Sequence, residues 1–429
     1  MKKLILPAAV SCMLAQGTAF ADPPSNAITA NTDDDYVVAG DYIQIALPLT
    51  GLFAAWLHDD AEGAKQLTYS LATTIGIVQA GKYAVGRIRP NSSNSASFPS
   101  GHTAAAFSGA SFLHTRYGAK WGIPAYAAAS FVGASRIHGN RHYADDVLAG
   151  GSIAFLTNQF FVSEYTPEGV NLSAAPLKDG MMVNVSLTNE AFEYESDRKR
   201  TNPVYTKNKP HSFTLDIGFN TYDTMGDLGA NQTFENSAPD DDYQPFSTAY
   251  YAYQFDKTSS LEVQVSPNET RRTGKASSDF EFGNNSYSQG EDIFIALRQW
   301  SAGALYQKHY QLNEEVTLSA GAGLYAYLVE LETDLLNGGR HSKLSSTPVL
   351  PAVSANIEYS FNSQWSINGR MDYQTFDRDS VFASEAGINY KVNSDWAVAL
   401  KYAYTNNRWD LYETRYKSES VLVSVTNHF

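Results

Sequence analysis

Six ionisable side chains between residues 82 and 146 carry the chemistry this chain could do: Lys82, Arg89, His102, Arg136, His142 and Asp146. Three cations, two histidines and one carboxylate suit hydrolysis of a phosphate ester through a histidine nucleophile. Lys82 and Arg89 are spaced to share one face of a helix, two turns apart. Pro90 disfavours helical backbone at Arg89, so the spacing predicts a helix that ends there with the guanidinium at its mouth. Pro99-Ser100-Gly101 before an alanine-rich run reads as a helix start, with Ser100 as the cap and backbone N–H groups able to meet an anion. His142 and Asp146 stand at i and i+4, so the carboxylate can hold one ring nitrogen and leave the other to attack. Arg136 adds a fork suited to two phosphoryl oxygens.

Three pieces carry these residues. Lys82-x6-Arg89-Pro90, Pro99-Ser100-Gly101-His102 and Ser135-Arg136-x5-His142-x3-Asp146 resemble the three-part signature of the type 2 phosphatidic acid phosphatase superfamily. That superfamily includes lipid phosphatases, bacterial non-specific acid phosphatases and vanadium haloperoxidases. The resemblance covers roughly residues 36 to 165, and no signature position departs from the pattern. It implies an all-α helical bundle in which His142 forms a phosphohistidine and Asp146 orients it. It further implies that His102 protonates the leaving oxygen, then helps activate water. Lys82, Arg89, Arg136 and the Ser100 and Gly101 backbone would hold the phosphoryl oxygens. Fixed cations would stand in for a metal, so no metal and no cofactor are expected, and vanadate enters only in a haloperoxidase reading.

The elements that must position these residues follow in chain order. Met1-Lys2-Lys3, an apolar run from Leu4 to Leu14 and Ala19-Phe20-Ala21 read as a secretory leader over residues 1–21. Cys12, the only cysteine, lies inside it, which would leave the exported chain without disulfides. A net charge of −14 makes nucleic acid a poor partner. Residues 22–40 read as a flexible lead-in. Five apolar helical segments follow, at about 41–58, 64–89, 102–117, 120–138 and 142–164, forming a phosphatase-like domain over 41–165. Their charge-free stretches fall short of the ~20 residues a bilayer crossing wants. Richness in Ala, Gly, Ser and Thr favours a soluble or peripherally bound bundle. Outside the signature, His138 reads as a surface or supporting residue, Arg87 and Arg141 as solvated surface cations near the mouth, with meeting an anionic substrate as the alternative, and Asp145 as a helix-start carboxylate.

Residues 166–211 read as a linker with one alternating run at 183–187. From 212 to 429 the chain alternates with period two, as in Val353, Ala355, Ile357, Tyr359 and Phe361, or Trp365, Ile367, Met371 and Tyr373. The opposite face holds Ser354, Asn356 and Glu358, or Arg370 and Asp372, which suits a polar lumen better than a dry sandwich core. Short turns alternate with long polar loops such as 223–244 and 268–290. The last strand ends in Phe429, resembling the aromatic C-terminal assembly signal of Gram-negative outer-membrane proteins. The expected fold is therefore a helical bundle followed by an antiparallel transmembrane β-barrel of about ten strands, with eight or twelve as the alternatives. The expected setting is the Gram-negative outer membrane with the helical domain in the periplasm. The expected substrate is a phosphorylated lipid or small phosphoester, with outer-membrane lipids around the barrel. Beside this stand a vanadate-dependent haloperoxidase and a catalytically inactive pore or anchor.

Overall fold

The computed structural model describes residues 34–165, 170–177, 180–187, 209–224, 234–239, 244–336 and 338–429. The leader expected at 1–21, residues 22–33 of the lead-in and much of the 166–211 linker lie outside the described residues. Five helices come first: α1 (Asp35–Leu57), α2 (Ala61–Val85), α3 (Gly101–Tyr117), α4 (Ala119–His138) and α5 (Ala144–Phe161). Residues 35–40 belong to α1 and not to a flexible lead-in. The Asp34 side chain accepts from the Tyr36 N–H and caps the helix, and Asp35 adds a carboxylate to its positive end. The helix thereby reaches 23 residues and is long and apolar enough to cross a membrane, where the charge-free stretch alone looked too short. At the far end of α2, Gly86 takes a left-handed conformation (φ 64°) and stops the helix at Val85, before the Arg89 end expected from the sequence.

The helices pack through small residues. At Gly109 of α3, an added Cβ would lie 2.5 Å from the Leu47–Pro48 backbone of α1. The close approach buries Ala106, Ala110, Phe112, Leu113, Leu47 and Ala54 in one apolar core.

Beyond the bundle, the hairpin β1 (Val170–Leu177) and β2 (Gly180–Leu187) pairs with itself, outside the large sheet. Ten antiparallel strands then close a barrel: β3 (His211–Thr224), β5 (Pro245–Asp256), β6 (Ser259–Ala276), β9 (Asp292–Gln311), β10 (Val316–Leu335), β12 (Val349–Ser360), β13 (Trp365–Phe376), β14 (Asp379–Lys391), β15 (Trp396–Arg408) and β16 (Arg415–His428). The ring shuts where β16 pairs β3, Val423 opposite Ile217. The short strands β4 (Phe234–Pro239), β7 (Phe280–Phe282), β8 (Asn285–Tyr287) and β11 (Ser342–Ser346) decorate one rim. Residues 268–276, expected in a loop, extend β6 up to that rim.

Side-chain alternation divides the wall. Val353, Ile357, Ile367, Met371 and Leu400 face outward and are exposed. Inside, Arg370 pairs with Glu262 and Asp372, and Lys401 with Asp216 and Glu385. Toward the long-loop rim, the interior is filled by Trp409, Tyr416, Tyr325, Tyr327, Leu297 and Leu331. Side chains fill this barrel, as its small strand number allows.

The bundle stands beside the barrel. Ile153 and Leu156 of α5 pack on Leu215, with Phe213, Ile217, Val425 and Trp396 around them. These contacts are with the outer wall of the barrel. Between α3–α5 and the wall lies a mostly apolar cleft of about 1830 Å³ that runs from Tyr165 to Ala144.

The α1–α3 contact gives one expected outcome. Gly109→Ala forces backbone apart and should cost about 1–3 kcal/mol, lowering the thermal inactivation midpoint of the helical domain. The barrel's heat-modifiable gel migration should not move. Unchanged inactivation would show that the two helices do not need this approach.

Candidate active site

The carboxylate of Asp146 is the centre of the site. As the third residue of α5 it caps the helix, its Oδ2 accepting the Tyr143 N–H at 2.9 Å. The same oxygen accepts from Ser97 Oγ at 2.5 Å and faces His142 Nδ1 at 3.3 Å. His142 itself precedes the helix, so the pairing crosses the cap and not a helical turn. It holds Nδ1 and leaves Nε2 clear of the carboxylate, an arrangement that suits a nucleophile. Burial, ahead of the opposing pull of Asp146, lowers the His142 pKa to about 4, so the imidazole is neutral and nucleophilic above that. Burial pushes the Asp146 carboxyl upward, but Arg87, His142 and Ser97 outweigh it and hold the group below the usual carboxylate range.

Arg87 is the residue whose role the sequence reading missed. Expected at the surface, it is 3% exposed and donates to Asp145 at 2.7 Å and to Asp146 at 2.8 Å. Asp145, read as a simple helix-start carboxylate, is buried in the same cluster. The Arg87 guanidinium lies 3.8 Å over the Tyr143 ring, and Arg271 of the barrel lies 4.7 Å from the centre of the same ring. No local spacing joins positions 87, 145 and 271, so only the fold brings them together.

His102, second in α3, is half-buried, with Nε2 3.2 Å from Asp41 of α1. Burial first, then Arg136, lowers its pKa to about 4. Arg136 is buried: it donates to Asp41 at 2.5 Å, to the Val37 carbonyl at 2.5 Å and to Ser135 Oγ. Gly40 makes this possible, because an added Cβ would stand 2.1 Å from Ser135 Oγ and 2.6 Å from the Arg136 fork. Asp41 was not singled out in the sequence. Its only signal there is a carboxylate on an otherwise apolar helix.

The remaining cations border the same place. Lys82 donates to the Ala96 carbonyl at 2.6 Å, and Arg89 to Asn94 at 2.9 Å. With α2 ending at Val85, Arg89 reaches the site from a loop and not from the Lys82 helix face. Both act electrostatically on His142, and Arg141 acts on His102 and Arg89, in keeping with a place near the mouth. His138 is exposed and pairs with Asp34, away from this cluster. Ser100 differs from expectation: its backbone N–H donates to the Asp146 carbonyl at 2.9 Å, and its hydroxyl contacts Thr103. The first-turn N–H groups the helix offers an anion therefore begin at Gly101. Among the described residues, no group of three or more His, Cys, Asp or Glu is arranged to hold a metal ion.

Residues 63–166 match the family model of the PAP2 superfamily. A lipid A 1-phosphatase of Porphyromonas gingivalis is 37% identical over 134 residues, 28% of this chain and 30% of that protein. A lipid A 4'-phosphatase of Helicobacter pylori is 36% identical over 80 residues, 19% of this chain and 40% of that protein. The chain thus spans well under half the length of the curated relatives it matches. Among solved structures, LpxE of Aquifex aeolicus is 24% identical over 29% of this chain and 79% of its own, with a TM-score of 0.25. The outer-membrane protease OmpT of Escherichia coli is 9% identical over 51% of this chain and 97% of its own, with a TM-score of 0.34. The chain thus joins a helical domain that matches the PAP2 superfamily over residues 63–166 to a closed ten-stranded β-barrel.

Proposed function

We propose that this chain is a phosphoric ester hydrolase acting on a phosphate-bearing lipid at the outer membrane, through a phosphohistidine. The observation that carries the reading is His142 Nδ1 held by Asp146, which leaves Nε2 free beside Lys82, Arg89 and His102. Nε2 attacks phosphorus, the ester P–O bond breaks, and His102 gives its proton to the leaving alcohol. Water then attacks the phosphohistidine while His102 takes its proton, the N–P bond breaks, and inorganic phosphate leaves. Lys82, Arg89 and the α3 N-terminus from Gly101 onward neutralise the phosphoryl oxygens. Arg136, bound to Asp41 and the α1 backbone, holds the helix that positions His102.

Lipid as the substrate class is supported by the barrel, whose exposed apolar wall suits a bilayer, and by relatives that are lipid A phosphatases. An exported barrel can carry its partner domain in the periplasm, as the sequence suggests. The packing along the outer wall supports a different placement, developed below.

A phosphate-release screen over phosphorylated lipids and soluble esters should show turnover by the parent and none by His142→Ala. Full activity of that variant would remove the nucleophile assignment. His102→Ala should lose about 10²–10⁴-fold on an alkyl phosphate and far less on 4-nitrophenyl phosphate, whose leaving group needs no proton. Equal losses on both esters would contradict the acid role. The pH profile follows from the protons: below about 4, His142 is protonated and cannot attack. His102 is neutral above about 4, so the proton it passes on enters with the ester monoanion, which disappears above ~6. For an alkyl phosphate, kcat/KM should therefore peak between these limits, and a profile flat to alkaline pH would refute it.

A further inference from the structure

We propose that the phosphoryl pocket opens at the outer-leaflet headgroup level, so that the substrate is a phosphorylated lipid of the outer leaflet entering sideways between bundle and barrel. This rests on the hydrolase reading above and adds its side of the membrane and its substrate's source. Four observations converge on it.

The first is direction. At the start of α5, the Asp145 carbonyl accepts from Ser247 Oγ at 2.8 Å, near the long-loop end of β5, and Tyr143 lies under Arg271 near the same end of β6. At its other end, Phe155 contacts Phe213 and Phe429, and Phe160 contacts Trp396, all beside the short-turn rim. An 18-residue helix rises ~27 Å, close to the ~25 Å apolar band of an outer-membrane barrel. The catalytic end of the bundle is thus level with the long loops, which face outward in such barrels while short turns face the periplasm.

The second is a charged belt on the outer wall at that level. Arg298 pairs with Glu269, Glu330 and Glu332, and Glu269 also holds Arg271. By register these side chains are on the same face as lipid-facing Leu324 and Val265. Charges on that face mark the end of the hydrocarbon, so the pocket beside Arg271 stands among headgroups.

The third is the far side of the bundle. Tyr42, Ile45, Leu49, Phe53 and Trp56 form one exposed apolar stripe at helical spacing on α1. A solvated domain has no use for this stripe. Beside a lipid-facing wall it continues the same apolar surface.

The fourth is the cleft between bundle and wall. Phe107, Tyr126, Val147, Val265 and Trp300 line it, and it reaches Ala144, beside the His142 loop. Hydrocarbon chains can lie there while a phosphate attached to them meets the pocket.

Cysteine labelling of the full chain in cells tests this, in a Cys12→Ser background that leaves no other thiol. Ser93→Cys reports the loop beside the pocket, Gln289→Cys the long-loop rim and Ser363→Cys a short turn; all three positions are exposed. A membrane-impermeant maleimide should label positions 93 and 289 on intact cells, and 363 only after the outer membrane is permeabilised. Position 93 behaving like 363, or reacting only in detergent, would overturn the proposal. The labelling reads orientation whether or not phosphate is released. A correctly labelled but inactive protein would therefore sink the hydrolase reading alone.

Discussion

Two carboxylates, Asp145 and Asp146, lie side by side at 1% and 0% exposure, and a single guanidinium, Arg87, bridges them. Adjacent buried anions repel strongly, and without their cation one of them would have to take up a proton or leave the interior. Removing one partner of such a group costs about 3–5 kcal/mol, because a charge is left uncompensated. The position of Asp146 therefore depends on Arg87, and that of His142 depends on Asp146. The same carboxylate also receives Ser97 and the Tyr143 N–H, so the loop after α2, the loop after α4 and the start of α5 share one reference point. The geometry of the candidate site and the local folding are set by the same few contacts.

The barrel takes part in this arrangement. Tyr143 is held between Arg87 of the bundle and Arg271 of the wall, and Arg271 is fixed by Glu269, which Arg298 also holds. Ser247 adds a hydrogen bond to the Asp145 carbonyl. A barrel acting only as a tether would have no reason to place charged side chains on its outer face where the His142–Tyr143 loop is seated. Its interior, closed by Trp409 and its aromatic neighbours above the Arg370 and Lys401 ion pairs, fits a rigid support better than a conduit.

Much of this was legible in the sequence, and the parts that were not share a cause. Residues 82, 89, 102, 136, 142 and 146 could be named because their types and intervals are local facts. The ten-strand barrel could be read because inner and outer faces meet different surroundings, so period two survives in residues such as Val353 to Phe361. Arg87 looked like surface because its partners lie far along the chain, and Asp41 was hidden because its contacts with His102 and Arg136 cross the bundle. Ser100 read correctly as a cap, but the use of its N–H by the Asp146 carbonyl is a long-range contact that spacing cannot show. The end of α2 was misplaced because Pro90 was weighed and Gly86, which takes the left-handed turn, was not.

The composition of the helices, which pointed toward a soluble bundle, has a second physical reading once the wall is present. A helix that must cross lipid alone needs an apolar surface all round. A helix seated between its own bundle and a barrel needs it only where lipid touches. In α5, Gly150 meets the Ser100 carbonyl, and Ile153 and Leu156 pack onto β3, so small residues and scattered polar groups are covered by neighbouring elements. In the placement proposed above, the lipid-facing load would fall on α1, the one helix among the described residues long and apolar enough to cross by itself, which carries an exposed apolar stripe. Charge-free length measured helix by helix understates what an assembly can place in a bilayer, because each neighbour that packs against a helix removes a face from the requirement.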